Sequence, residues 1–292
     1  MDTHRDTKPR LLELFAFDAG MGYLPWVVGH GSGKISQGNK AISAHAISKH
    51  ACLEGLKEVV LQSPEQRALC GADNMVPVWE GADPTKAKFC VDVFEFPNIA
   101  CELPIVWVTP AQAQRICGYQ GKRLCSQQEW NLACRADPKG AADQVYGYGS
   151  QLDMQICNTN KPHPMASDGF NWKCYVRDVQ TAWDTCGTDT EPSGAFPQCR
   201  SRFGVFDQHG NVAEIMTRKE GDVVYTQLKG SAFFYVDVAR KHDEPHPAGR
   251  KRDTYPDHCN YDPRWHVEEL ESSTHMNYHL GFRCCKPVAS GK

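Results

Sequence analysis

The chain has no run of roughly 18 apolar residues, so no segment reads as a membrane-spanning helix. Its longest apolar stretches, such as Ile105-Val106-Trp107-Val108, have the length of a strand. A basic excess is missing too: 32 Lys and Arg stand against 35 Asp and Glu, a net charge of −3. That balance excludes a protein that tracks nucleic-acid phosphates. No CxxC pair occurs, which argues against zinc ribbons and thioredoxin-type redox centres. HExxH, internal repeats, low-complexity tracts and heptads are absent as well. The opening Met1–Asp6 is polar, and the apolar stretch behind it is broken by Glu13 and Asp18, so no signal-peptide core is visible.

What is present suits a globular protein. Hydrophobic residues make up 41% of the 292, enough for a real core. The 14 cysteines run from Cys52 to Cys285. An even, high count points to several disulfides and an extracytoplasmic setting (periplasm, envelope or secreted), with buried free thiols as the alternative.

Residues 1–68 differ from the rest and are set apart as an N-terminal segment. They hold one cysteine, Cys52, and a glycine-rich patch, Gly29-His30-Gly31-Ser32-Gly33-Lys34. Ile35 follows the lysine and breaks the phosphate-loop pattern GxxxxGK(S/T). Apolar positions Ile42, Ala46, Ile47, Leu53, Leu56, Val59 and Val60 predict a helix over 42–61. His45 and His50 stand five apart, which does not give the shared helix face of an i, i+4 ligand pair.

Two further helices carry local start signals. Thr109 caps a helix over 110–119, with Pro110 at the first position, where its missing donor costs nothing. Gly121 supplies the turn beyond it. Ser126 with Glu129 forms a capping box for the next helix, with Trp130, Ala133 and Cys134 facing inward. From 137 to 204 periodicity disappears, and Gly, Pro, Asn, Asp and Ser dominate. Order there must come from disulfides or bound ions, and Cys134, Cys157, Cys174, Cys186 and Cys199 mark the region.

Three patches stand out: Gly121-Lys122-Arg123-Leu124-Cys125-Ser126-Gln127-Gln128-Glu129-Trp130, then Phe203-Gly204-Val205-Phe206-Asp207-Gln208-His209-Gly210-Asn211-Val212-Ala213-Glu214, then Leu280-Gly281-Phe282-Arg283-Cys284-Cys285. In this order the chain resembles the formylglycine-generating enzyme family, the sulfatase-modifying factors. The segments Cys70–Asn98 and Leu228-Lys229-Gly230-Ser231 add to the likeness, which covers about 69–287. We accordingly take 69–288 as one domain. The resemblance implies an irregular α+β fold related to C-type lectins, with short antiparallel strands, few helices and long loops. It also implies calcium, held by the side chains of Asp207 and Glu214 and the carbonyls of Gly210 and Val212. Calcium is a hard cation that takes such oxygens. Two solvated acids on a plain turn are the alternative. A second calcium site would start at Asn158 and the Thr159 carbonyl, with Asp168, Asp184, Asp189 or Glu191 completing it.

The family's oxidase chemistry uses two thiolates shortly after the Gly-Gly-Ser segment to hold copper, a soft metal suited to sulfur. Here that stretch reads Gly230-Ser231-Ala232-Phe233-Phe234-Tyr235-Val236-Asp237-Val238 and contains no cysteine. The next one is Cys259. It is either a relocated reactive thiol activated by His258 or half of a disulfide. Adjacent Cys284 and Cys285 would anchor the C-terminus to two different partners.

Six histidines, His242, His246, His258, His266, His275 and His279, fall late in the chain among Asp243, Glu244, Asp257, Glu268 and Glu269. They form either a solvated loop or a copper, iron or zinc site. Tyr255, Trp265, His266 and Tyr278 could instead line a binding groove. Ergothioneine-type sulfoxide synthases share the domain, but residues 1–68 are too short for their added four-helix bundle. The functional expectation is therefore a calcium-supported, disulfide-braced binding or assembly protein for a protein or small-molecule ligand, leaning away from an enzyme. The alternative is a metal-dependent oxidoreductase acting on a thiol.

Overall fold

The computed structural model describes residues 42–162, 187–237, 252–254, 258–263 and 266–289. The glycine-rich patch at 29–34, Cys174, Cys186, Asp168, Asp184, His242, His246, Tyr255 and Trp265 lie outside them. The fold is α+β, with short strands and few helices, as the sequence predicts. Helices α1 (Lys49–Gly55) and α2 (Pro64–Cys70) precede strands β1 (Met75–Val78) and β2 (Phe89–Asp92). Then come α3 (Pro110–Tyr119), β3 (Arg123–Leu124), α4 (Gln127–Arg135) and β4 (Lys161–Pro162). The chain closes through β5 (Ala213–Glu220), β6 (Val223–Lys229), β7 (Phe234–Asp237), β8 (Arg252–Thr254), β9 (Leu280–Phe282) and β10 (Cys284–Pro287). Three small sheets result, ordered β1-β2-β10-β3, β6-β5-β9 and β4-β7-β8.

The helix starts follow local chemistry. Thr109 and Ser126 each cap their helix through a complete capping box, with Gln112 and Glu129 reaching back. Such a cap contributes roughly 1 kcal/mol. Gly121 adopts φ 66°, and its amide bonds to the Gly118 carbonyl as α3 ends. Ala113, Ile116 and Cys117 of α3 pack on Ala213, Ile215, Leu228, Leu280 and Phe282 of the β6-β5-β9 sheet. Trp130, Ala133 and Cys134 of α4 pack instead on the β1-β2 side, with Val91, Phe206 and Met216.

The helix expected over 42–61 shrinks to α1. Ser48 caps it, and the backbone before it is not helical. The cause is tertiary: the amides of Ala44, Ala46 and Ile47 donate to the side chains of Asp189 and Glu191 at 3.1, 2.9 and 2.9 Å. Those donors would otherwise have to start a helix. Val60, one of the apolar positions of that pattern, is 82% exposed. The described part of the N-terminal segment is nonetheless tied to the domain, since Cys52 is bridged to Cys101 and Leu56 lies in the same cluster as Phe94.

Six disulfides join the described cysteines: Cys52–Cys101, Cys70–Cys90, Cys117–Cys284, Cys125–Cys285, Cys134–Cys259 and Cys157–Cys199. None of the described cysteines is free. The adjacent pair Cys284 and Cys285 does reach two different partners, one at the end of α3 and one before α4. Each bridge of this kind adds about 2–4 kcal/mol to a folded domain. In the irregular region, Cys157–Cys199 and Cys134–Cys259 supply the order that periodicity does not. Among the described residues no helix is long and apolar enough to cross a membrane.

Candidate functional site

The three sequence patches meet at one carboxylate. Glu214, at the start of β5, is fully buried. Arg283, between β9 and β10, donates to it through Nε at 2.6 Å and again through Nη2. Trp130 of α4 donates to it through Nε1 at 2.8 Å. Each patch thus contributes one side chain: an indole, a carboxylate and a guanidinium. The remaining Arg283 donors reach the carbonyls of Asp92, Val93 and Phe206 at 3.0, 3.4 and 2.8 Å. All five N–H groups of the guanidinium are therefore used, which is how a buried arginine becomes tolerable.

Two more carboxylates surround this pair. Asp207 is 2% exposed, and one of its oxygens accepts from the Gly194 amide at 2.7 Å. Glu95 is fully buried and accepts from the Val212 amide, the Asn211 side-chain amide and the Ser193 hydroxyl at 3.0, 2.7 and 2.9 Å. The two acids of the second patch are therefore buried, not the solvated pair of the plain-turn alternative. Burial pushes Asp207 up to about 7, against the Gly194 amide and Arg283, which favour its charged form. Burial also raises Glu95 well above the usual carboxylate range, and the like charges of Asp207 and Glu214 push the same way. Burial alone would lower Arg283, but the carboxylates, Glu214 foremost, raise it.

Charge decides what this centre demands. Three ionised carboxylates against one guanidinium leave an excess of two negative charges in the dry interior, a state that costs several kcal/mol per ion. Protons or a divalent cation would relieve it. The turn over Asp207–Asn211 is suited to close approach, with φ of 55° at Asp207, 76° at Gly210 and 61° at Asn211. A Cβ at Gly210 would lie 2.4 Å from the Asn158 carbonyl, so only glycine fits there. Among the described residues no three His, Cys, Asp or Glu side chains form a metal cluster. An ion at this turn would accordingly draw on the carbonyls of Gly210 and Val212 as well as on Asp207 and Glu214. These are the hard oxygens that calcium takes, but both Glu214 oxygens already accept from Arg283, so an ion there would share Glu214 with the guanidinium and rely most on Asp207.

Of the second expected set, Asp168 and Asp184 lie outside the described residues, and the groups that are described are engaged with one another. Asn158 donates its side-chain amide to the Asp189 carbonyl and to Asn211 Oδ1 at 3.2 and 3.0 Å, and its own carbonyl accepts from the Asn211 amide. The Asp189 carbonyl and the Glu191 carboxylate also take the ammonium of Lys161.

The stretch after Gly230 is filled by aromatic packing. Phe233 and Phe234 are buried and pack edge-on with ring centroids 5.4 Å apart. Tyr278 lies 6.1 and 6.4 Å from them, and His279 stands edge-on to Phe234 at 5.1 Å. Cys259 is bridged to Cys134, which corrects the expectation of a reactive thiol there: a half-cystine has no thiolate to offer. The described late histidines do not converge. His266 and His275 stack at 4.2 Å, His258 meets Tyr261, and His279 is buried in the aromatic cluster. The solvated-loop expectation therefore fails for His279.

Residues 79–288 match the model of the sulfatase-modifying factor enzyme 1-like domain. The chain belongs to that family. Two curated relatives, each called an inactive C-alpha-formylglycine-generating enzyme 2, come from Bos taurus and Mus musculus and are both 30% identical over 117 residues. That match covers 39% of this chain and 32% of the bovine protein, so the chain spans about a third of the relative's length. Among solved structures, the crystal structure of CarF aligns with a TM-score of 0.39 and 11% identity over 73% of this chain and 94% of that one. A major tropism determinant U1 variant aligns with a TM-score of 0.33 and 10% identity over 76% of this chain and 54% of that one.

Within the family frame, sequence reasoning found Asp207 and Glu214 but missed Glu95, Arg283 and Trp130 as their neighbours. Glu95 did leave a signal: a lone acid inside Val93-Phe94-Glu95-Phe96 is a charge placed in an apolar run. Lys229 was missed as well. It is 1% exposed, sits 5.0 Å from the Trp130 ring and donates to the carbonyls of Cys259, at 3.2 Å, and Tyr261. Burial pushes it down to about 7, with Asp262 pulling back.

Proposed function

We propose that this protein is a member of the family that works by binding or assembly, supported by calcium and disulfides, without copper-thiolate oxidase chemistry. The observation that carries this reading is the stretch after Gly230. It offers Phe233 and Phe234 where two thiolates would be needed, and Cys259, the next cysteine, is held in a disulfide. The word "inactive" in the names of both curated relatives points the same way. Calcium at Asp207, Gly210, Val212 and Glu214 would neutralise the carboxylate excess and stiffen the Asp207–Glu214 turn. The partner is a protein or small molecule met outside the cytoplasm, a setting that six disulfides favour.

The test is a joint assay of metal and activity. The purified protein, loaded with copper(I) and supplied with oxygen, is incubated with a sulfatase-type cysteine peptide, and the peptide is weighed by mass spectrometry. No conversion to formylglycine is expected, metal analysis should give calcium without stoichiometric copper or iron, and thiol titration without reductant should find no reactive group at Cys259. Conversion of the peptide, or one tightly held copper or iron per chain, would overturn the reading.

A further inference from the structure

The loop around Asp189 meets the N-terminal segment through backbone amides and one ammonium. Lys161, in the short strand β4, is fixed beside β7, where its amide bonds to the Phe233 carbonyl at 3.2 Å. Its Nζ donates to three oxygens: Glu191 Oε1 at 2.7 Å, the Ala44 carbonyl at 3.3 Å and the Asp189 carbonyl. The Glu191 side chain is 2% exposed and that of Lys161 23%, so most of this contact lies out of water. The same Glu191 oxygens accept the amides of Ala46 and Ile47, and Asp189 Oδ1 accepts the amide of Ala44. Two carbonyls and a carboxylate around one positive centre are the all-oxygen surroundings that a hard metal ion takes. Here the positive centre is covalently part of the chain.

We propose that Lys161 is a built-in cation. Its ammonium occupies the place of a metal ion among Glu191, Asp189 and Ala44, and so latches residues 44–47 onto the domain. One carboxylate, Glu191, bonds directly to the ammonium, and the Asp189 carboxylate stands beside it on the Ala44 amide. A second calcium that drew on Asp189 or Glu191 would therefore compete with the ammonium for the same oxygens. The latch also accounts for the non-helical backbone of 44–47, since the carboxylate that takes its amides is held in place by the ammonium. The inference does not depend on calcium at Asp207, because it concerns a separate set of oxygens.

The test compares the parent protein with Lys161→Ser and Lys161→Arg. Serine removes the charge and leaves room for an ion among the same oxygens; arginine keeps the charge. After removal of divalent ions, calcium is titrated calorimetrically. Lys161→Ser should take up one more calcium per chain than the parent, whatever the parent binds, and Lys161→Arg should take up no more. With EDTA, proteinase K should cut between Ala44 and Ser48 about tenfold faster in Lys161→Ser than in the parent, because local opening exposes that backbone. Millimolar calcium should restore most of the protection. Three results would overturn the proposal: no added calcium site in a folded Lys161→Ser chain, a parent site that disappears with the substitution, or a Lys161→Ser chain that stays unfolded in calcium while Lys161→Arg folds.

Discussion

Two charge centres of this molecule solve the same problem differently. Around Arg283, three buried carboxylates share one guanidinium. Around Lys161, one carboxylate meets one ammonium, and backbone carbonyls complete the shell. The first centre is left wanting positive charge, whereas the second is closed. The difference bears on where an added ion would matter: under the calcium proposal a dication would act at Asp207 and not at Glu191. The same loop serves both centres, since Gly194 and Ser193 bond to Asp207 and Glu95 while Glu191 bonds to Lys161.

The largest way to break this contrast is to remove the guanidinium. Arg283→Met leaves three buried carboxylates without the guanidinium that offsets their charge. The loss expected from stranding such a charge is about 3–5 kcal/mol, read by urea unfolding. The double variant Arg283→Met with Glu214→Gln should recover part of it, because one of the stranded charges is then gone. If the single variant unfolds at the parent's urea midpoint, the centre is not the keystone described above.

A smaller effect separates calcium from protons as the remedy for the charge excess. Calcium at about a hundred times its dissociation constant adds about 2.7 kcal/mol to a folded protein that binds it at one site. The parent's melting temperature should rise accordingly, and Asp207→Asn should abolish most of that rise. In EDTA at pH 7 the same variant should be no less stable than the parent, since it removes a buried like charge and keeps an oxygen for the Gly194 amide. A calcium response that survives Asp207→Asn would place the ion elsewhere.

The smallest effect concerns Lys229, a buried lysine whose ammonium bonds to two carbonyls and, among the described residues, to no carboxylate. Its folded value of about 7 lies below the ordinary lysine value of 10.5. Between those two, the unfolded chain holds a proton that the folded chain gives up, so stability from this group rises with pH from about 7 to 10.5 and is lost as pH falls back through that window. The slope is at most about 1.4 kcal/mol per pH unit. Lys229→Met should flatten the difference in urea midpoint between pH 7.5 and 9.5. An unchanged slope would mean that the lysine stays charged against the Trp130 face and its two carbonyls.

Legibility in the sequence followed the range of the interaction. The starts of α3 and α4 were readable because Thr109 with Gln112, and Ser126 with Glu129, settle them within three residues. Asp207 and Glu214 were readable from a motif that keeps its spacing around Gly210. The helix over 42–61 was misread because its pattern is sound locally, and the competing acceptors, Asp189 and Glu191, lie about 145 residues away. Cys259 was open to two readings because its partner, Cys134, is 125 residues distant.

By itself the amino-acid sequence determined the family, the capped helices, the glycine turn and the loss of paired sulfur after Gly230, because each is written in neighbouring residues. Only the tertiary structure decided which cysteines pair, which acids share Arg283 and which oxygens surround Lys161. Such choices compare contacts made across the whole chain, where burial makes an unpaired charge too costly to leave alone.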